Sequence, residues 1–180
     1  MQVTKYPIEG IVEITPRIFA DERGAFLETF SAKVFAEAGI TETFVQDNLS
    51  VSKKGVLRGL HFQKPPFAQA KLVSVTAGKA LDVAVDLRKG SPTYGQHVTC
   101  LLDAEKRNLF FIPVGFAHGF VALEEGTVFQ YKCSNYYDKA SEGGLLWNDP
   151  ALNINWGIET PLVSEKDEIL PVLEGFESPF

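Results

Sequence analysis

Short runs of alternating apolar and polar residues dominate the chain, and glycine or proline interrupts most of them. Ile8, Ile11, Ile14 and Ile18 mark short alternating segments that end at Asp21-Glu22-Arg23-Gly24, a turn by composition. Residues 26–30 read as strand. Residues 31–39 predict the one clear helix of the first half, with Ser31 as N-cap and Gly39 as a left-handed stop. Residues 44–52 read as strand, with Gln46 and Asn48 on one face. Val56-Leu57 and Leu60-Phe62 are strand-like, and Lys64-Pro65-Pro66 must break them before Leu72-Val73 resumes. That layout brings His61 and Lys71 toward one cavity from neighbouring strands. Ala77-Gly78-Lys79, between two alternating runs, predicts a hairpin. Residues 97–102 and 109–112 read as strands around a short helical turn, and residues 127–137 as one long strand with Phe129, Tyr131, Cys133, Asn135 and Tyr137 on one side. Ser164-Glu165-Lys166-Asp167 opens a final short helix. Many short strands, little helix and no repeat or linker predict one mostly β domain over residues 1–180, an antiparallel sandwich or small barrel.

Composition narrows the partners. At 180 residues and 45% hydrophobic, the chain can bury a substantial core and has no apolar run long enough to cross a membrane. Its start lacks the layout of a signal peptide, and Cys100 and Cys133 in apolar runs read as free buried thiols, so a cytoplasmic setting is expected. A net charge of −6 without a basic block argues against nucleic acid, while a local Arg/Lys cluster can still hold one small anion.

Three histidines exist. His97 sits in an alternating strand without chemical company and reads as surface or structural. His118 lies in Pro113-Val114-Gly115-Phe116-Ala117-His118, and this P-x-G-x-x-H spacing resembles the second motif of the cupin superfamily, a jelly-roll barrel in which a turn points the histidine inward. Where metal-binding cupins carry H-x-H and a following carboxylate, this chain has His61-Phe62-Gln63 and no acid before Asp82. Two imidazoles make a poor metal site, so no metal or other cofactor is expected and His61 is free to act as a base.

Six blocks in order, Arg58–Gln63 (RGLHFQ), Ala68–Val73 (AQAKLV), Asp82–Arg88 (DVAVDLR), Ile112–Phe120 (IPVGFAHGF), Tyr131–Tyr137 (YKCSNYY) and Leu145–Pro150 (LLWNDP), resemble the dTDP-4-dehydrorhamnose 3,5-epimerase family. The resemblance implies a cupin-type jelly roll acting without metal on a thymidine-diphosphate-linked 4-keto-6-deoxyhexose. It implies His61 as base paired to Asp167, Lys71 facing the developing enolate and Tyr131 returning the proton. It further implies substrate contacts from Arg23, Glu28, Gln46, Asp47, Asn48, Arg58, His118, Glu142 and Lys166, with Tyr137 stacked on thymine. A homodimer with exchanged N-terminal segments is implied too, in which Arg23 and Glu28 serve the neighbouring site. From the residues alone, Asp167 favours a helix cap, Tyr131 core packing, and Lys71 a solvated surface.

The chemistry suits the residue types. A neutral imidazole accepts a proton near neutral pH, and a carboxylate on its other nitrogen fixes the tautomer. A fixed ammonium stabilises an enolate more than the ketone it arises from, and a protonated phenol can donate on the opposite face.

Overall fold

The computed structural model describes residues 1–180. The strands are β1 (Gln2–Lys5), β2 (Val12–Thr15), β3 (Phe19–Asp21), β4 (Gly24–Phe26), β5 (Gln46–Ser52), β6 (Leu57–Gln63), β7 (Lys71–Ala77), β8 (Lys79–Asp86), β9 (His97–Asp103), β10 (Leu109–Ile112), β11 (Phe116–Ala122), β12 (Thr127–Cys133) and β13 (Glu142–Gly144). Two short helices, α1 (Ala32–Glu37) and α2 (Glu165–Glu168), complete the elements with a single 3₁₀ turn at Lys139–Ser141. A six-stranded sheet runs β1-β2-β10-β7-β12-β5 and a five-stranded sheet runs β13-β6-β11-β8-β9, while β3 and β4 form a separate hairpin. All pairings between these strands are antiparallel.

Period-two alternation explains the layers. Val73, Val75, Phe110, Ile112 and Phe129 of one sheet meet Ala80, Ala84, Cys100, Leu102, Phe116 and Phe120 of the other, closing the jelly-roll core between them. The odd-numbered residues of β8, Val83 and Val85, point the other way. They pack with Leu57, Leu145, Leu152 and Trp156, so the chain after β13 covers the outer face of the five-stranded sheet. Helix α1 lays Phe35 over the outer face of the six-stranded sheet, against Val12, Ile14, Leu72 and Phe111. The central strands of both sheets are therefore buried on two sides, which explains why β10 and β11 are buried throughout. Both cysteines are free and buried. No helix is long and apolar enough to cross a membrane.

Five local expectations need correction. The alternating runs around Gly78 do not pair with each other: β7 bonds to β10 and β12, and β8 to β11 and β9. Gly78, at φ +73°, instead turns the chain from one sheet to the other, and a Cβ there would lie 2.6 Å from Thr127 Oγ1. His61 and Lys71 accordingly face each other from opposite sheets, not neighbouring strands. The strand near residue 26 ends at Phe26 and pairs back onto Phe19, leaving residues 27–30 irregular. Strand β12 stops at Cys133, so Asn135 and Tyr137 lie beyond it, and residues 104–107 form turns, not helix, with Arg107 at φ +58°. Ser31 does occupy the N-cap of α1, without a side-chain hydrogen bond, and Gly39 follows at φ +88°.

Candidate active site

Strand β6 delivers the central histidine. Leu57, Leu60 and Phe62 are buried in the outer cluster, and the strand twists sharply at Gly59, so His61 faces the barrel mouth. Gly59 lets the two neighbouring strands come this close: at φ +142° a Cβ would lie 2.6 Å from Gly119 Cα of β11. On that neighbouring strand His118 stands directly opposite His61 in register. His118 lies within a strand, after the turn at residues 113–115, not on the turn itself.

His61 Nε2 is 2.6 Å from Asp167 Oδ1. Gly59 N–H donates to Asp167 Oδ2 at 3.2 Å, so both carboxylate oxygens are engaged. The helix-cap alternative for Asp167 is thereby resolved. Ser164 caps α2, its Oγ accepting from Asp167 N–H, while the Asp167 side chain turns inward and is only 4% exposed. Burial alone would raise its pKa, but the His61 hydrogen bond and charge, with Gly59 and Ser164, hold it below the ordinary aspartate value. The result is an anion aimed at an imidazole that remains open to the cavity.

That cavity, about 470 Å³, is lined by His61, Lys71, Tyr131, Arg58, His118, Lys166 and Asp167, with Leu49, Ser50, Phe120 and Phe129 among the rest. A second lobe of about 280 Å³ shares His61, Lys71 and Tyr131 and adds Gln46, Asn48, Tyr137 and Glu142. The Lys71 ammonium lies 5.8 Å over the Tyr131 ring. Burial pulls the Lys71 pKa down, and Cys133, Asp82 and Glu142 act against that pull. Burial also raises the Tyr131 pKa, reinforced by Cys133 and opposed by Arg58, which keeps the phenol protonated at neutral pH. An imidazole, a lysine amine and a phenol thus converge on one space large enough for a sugar ring.

The rims of the two lobes are linked by Lys166, which donates to Glu142 Oε2 at 2.8 Å. Tyr137 is exposed at the edge of the second lobe, its N–H bonded to Gln46 Oε1 at 3.0 Å. Arg58 Nε reaches Ser52 Oγ at 3.5 Å and leaves its guanidinium exposed toward solvent. Gln63 is tied to the Pro65-Pro66 loop and its neighbour, donating to the Phe67 and Tyr136 carbonyls and accepting from Asp138 N–H. No three His, Cys, Asp or Glu side chains cluster as a metal would require.

Three residues of the expected set stand elsewhere. Asp47 points to the opposite side of β5 from Gln46 and Asn48 and pairs with Lys132 at 3.0 Å. Arg23 sits at the tip of the β3–β4 hairpin, bonded to Asp21 and 85% exposed, and Glu28 lines a separate hollow beside Arg17 and Val34. One residue goes unnoticed in the sequence: Asp82 of β8, fully buried, with Oδ2 2.8 Å from His118 Nε2. Its only sequence signal is a charge at an inward position of an alternating strand, flanked by Ala80 and Ala84.

Residues 5–175 match the family model described as dTDP-4-dehydrorhamnose 3,5-epimerase. The chain is 51% identical over 168 residues to a Shigella flexneri protein of that name, covering 93% of each. A crystal structure of a dTDP-6-deoxy-D-glucose-3,5-epimerase from Legionella pneumophila, in complex with dTDP-4-keto-L-rhamnose, superposes with TM-score 0.93 at 47% identity, covering 98% of this chain and 94% of that one. A dTDP-4-dehydrorhamnose 3-epimerase of Streptomyces niveus is 44% identical over 169 residues, covering 93% of this chain and 82% of that protein. By sequence match, barrel architecture and the agreement of both over nearly the whole chain, this protein belongs to the dTDP-4-dehydrorhamnose 3,5-epimerase family.

Proposed function

We propose that the chain converts dTDP-4-dehydro-6-deoxy-D-glucose to dTDP-4-dehydro-L-rhamnose, inverting C3 and C5 beside the C4 ketone, as a step of dTDP-L-rhamnose formation. The observation that carries this reading is the His61–Asp167 contact of 2.6 Å, opening on the cavity that Lys71 and Tyr131 line from the other sheet. Asp167 holds the imidazole with one nitrogen free to take the proton next to the carbonyl, and stabilises the imidazolium that results. Charge moves onto the C4 oxygen as the C–H bond breaks, and the Lys71 ammonium stabilises that enolate more than the ketone. Tyr131, from β12, returns a proton to the other face of the ring. Repeating the sequence at the second carbon needs rotation of the sugar but no redox step, and no other cofactor enters. The nucleotide end fits the second lobe, where Tyr137 offers an exposed ring to thymine, while Arg58, His118 and Lys166 of the first cavity offer positive or donor groups to the diphosphate.

Residues 1–180 act as one catalytic domain, and the active form is a homodimer. The β3–β4 hairpin and its approach expose Ile18, Phe19 and Phe26, and Arg23 at its tip lacks any local substrate site. A partner covering these side chains gives Arg23, Glu28 and the outward Asp47 a substrate to meet. Two reduced buried thiols fit a cytoplasmic setting.

The Streptomyces niveus relative supports a narrower second reading, inversion at C3 only. Incubation of dTDP-4-dehydro-6-deoxy-D-glucose with the purified protein, followed by ring-proton coupling constants, separates the two. The L-rhamno pattern is expected; inversion confined to one carbon establishes the narrower reaction, and unaltered sugar refutes both.

A further inference from the structure

Asp82 has no role in the chemistry above, yet it is the most enclosed carboxylate beside it. It lies on β8 with no exposed surface, between Ala80 and Ala84 of the barrel core. Oδ2 contacts His118 Nε2 at 2.8 Å, whereas Oδ1 is buried with no hydrogen-bond partner. An apolar barrel does not retain a half-satisfied carboxylate without a compensating charge. Two groups that line the cavity supply it, His118 by direct contact and Lys71 through its electrostatic interaction with Asp82. Cys133 and Glu142 also face Lys71, and His61 stands beside His118 across the β6–β11 register. Asp82 addresses both His118 and Lys71. The two His–carboxylate pairs therefore lie side by side on one wall, one presenting the proposed base and the other backed by a buried carboxylate.

We propose that Asp82 is a positioning residue of the reaction: its carboxylate fixes the His118 ring with Nδ1 toward the cavity and supplies the internal negative charge that balances the Lys71 ammonium. Without that charge the ammonium loses its proton more readily in a dry site, and the enolate loses its counter-charge. With it, the cation is in place before any charge develops on the substrate.

The proposal rests on the epimerisation reading, so wild type is assayed beside each variant. Asp82→Asn keeps the size of the side chain and an oxygen that accepts from His118 Nε2–H, and removes only the charge. We expect kcat to fall about tenfold or more with KM within about twofold, and the alkaline limb of the kcat–pH profile to move to lower pH. A folded variant with an unshifted profile overturns the proposal. Nitrogen-15 NMR of the wild-type histidines judges it independently of activity and of the variant's folding: His118 should carry its proton on Nε2, and a ring protonated only on Nδ1 overturns the assignment. Wild type inactive on this sugar would overturn the reaction reading instead, and the histidine spectrum would still decide on Asp82.

Discussion

Each proposed role at the site comes from how one side chain's surroundings alter its chemistry. His61 works because Asp167 is buried, charged and bonded at both oxygens, an arrangement that orients the ring and leaves one nitrogen open. His61→Ala should reduce epimerisation by about 10²–10⁴-fold while dTDP affinity, measured calorimetrically, stays near wild type. Retained turnover would remove His61 as the base. Tyr131→Phe separates the two proton transfers. Exchange of substrate protons with solvent should persist while epimerised product is lost, because only delivery to the opposite face needs the phenol. Equal loss of both would make Tyr131 a packing residue beside Phe129. These roles were legible in the sequence as a set of motifs in order, not as geometry. Asp167 lies 106 positions from His61, and nothing local tells its side chain to turn inward while Ser164 performs the capping. Asp82, 36 positions from His118, was hidden for the same reason, because no motif spans a contact between neighbouring strands.

Strand β8 shows how one element sends two like residues in opposite directions. Asp82 and Asp86 share its inward parity, yet burial raises the pKa of Asp82, against the opposing pull of His118 and Lys71. At Asp86 the same burial effect is outweighed by Arg88, Thr93 and Ser91, whose donors lie 2.9, 2.6 and 2.7 Å away, and its pKa falls. A depressed carboxylate pKa contributes stability that is present above the unfolded value and lost as pH falls through the folded one. Asp86→Asn should therefore cost about 2–3 kcal/mol in urea unfolding at neutral pH, with the difference shrinking as the pH drops below about 4. A pH-independent difference would mean that the Gly90–Gly95 loop depends on packing, not on this charge. The close approach of β6 to β11 at Gly59 gives a second test. Gly59→Ala places a methyl against Gly119 at a positive φ, so it should lower stability by about 1–3 kcal/mol and disturb His61 and Arg58 on either side. An unchanged melting temperature would contradict the close approach. Alternation located most strands within a few residues, but it could not assign their partners. A period of two states which side chains share a face, and β7 and β8 carry equally good patterns for pairing together or for entering different sheets.

At the scale of the molecule, the two sheets hold His61 and Lys71, the proposed base and enolate-facing cation, on opposite walls, so the proposed chemistry depends on the barrel closing correctly between them. The proposed dimer would complete the site from a second subunit. Co-purified heterodimers of Arg23→Ala and His61→Ala chains should regain activity that neither homodimer has, since one of the two sites then contains both intact residues. No recovery in the mixed dimer would contradict a contribution of Arg23 to the partner's site, and an active Arg23→Ala homodimer would place Arg23 outside catalysis. The measurement that bears most directly on the reaction is turnover of dTDP-4-dehydro-6-deoxy-D-glucose by the wild-type chain in D2O, read by proton NMR. Loss of both the C3 and C5 proton signals is expected, each carbon taking up solvent deuterium as its configuration inverts. Product formed with either position still fully protonated, or a sugar that binds and exchanges nothing, would contradict proton abstraction at both carbons by His61.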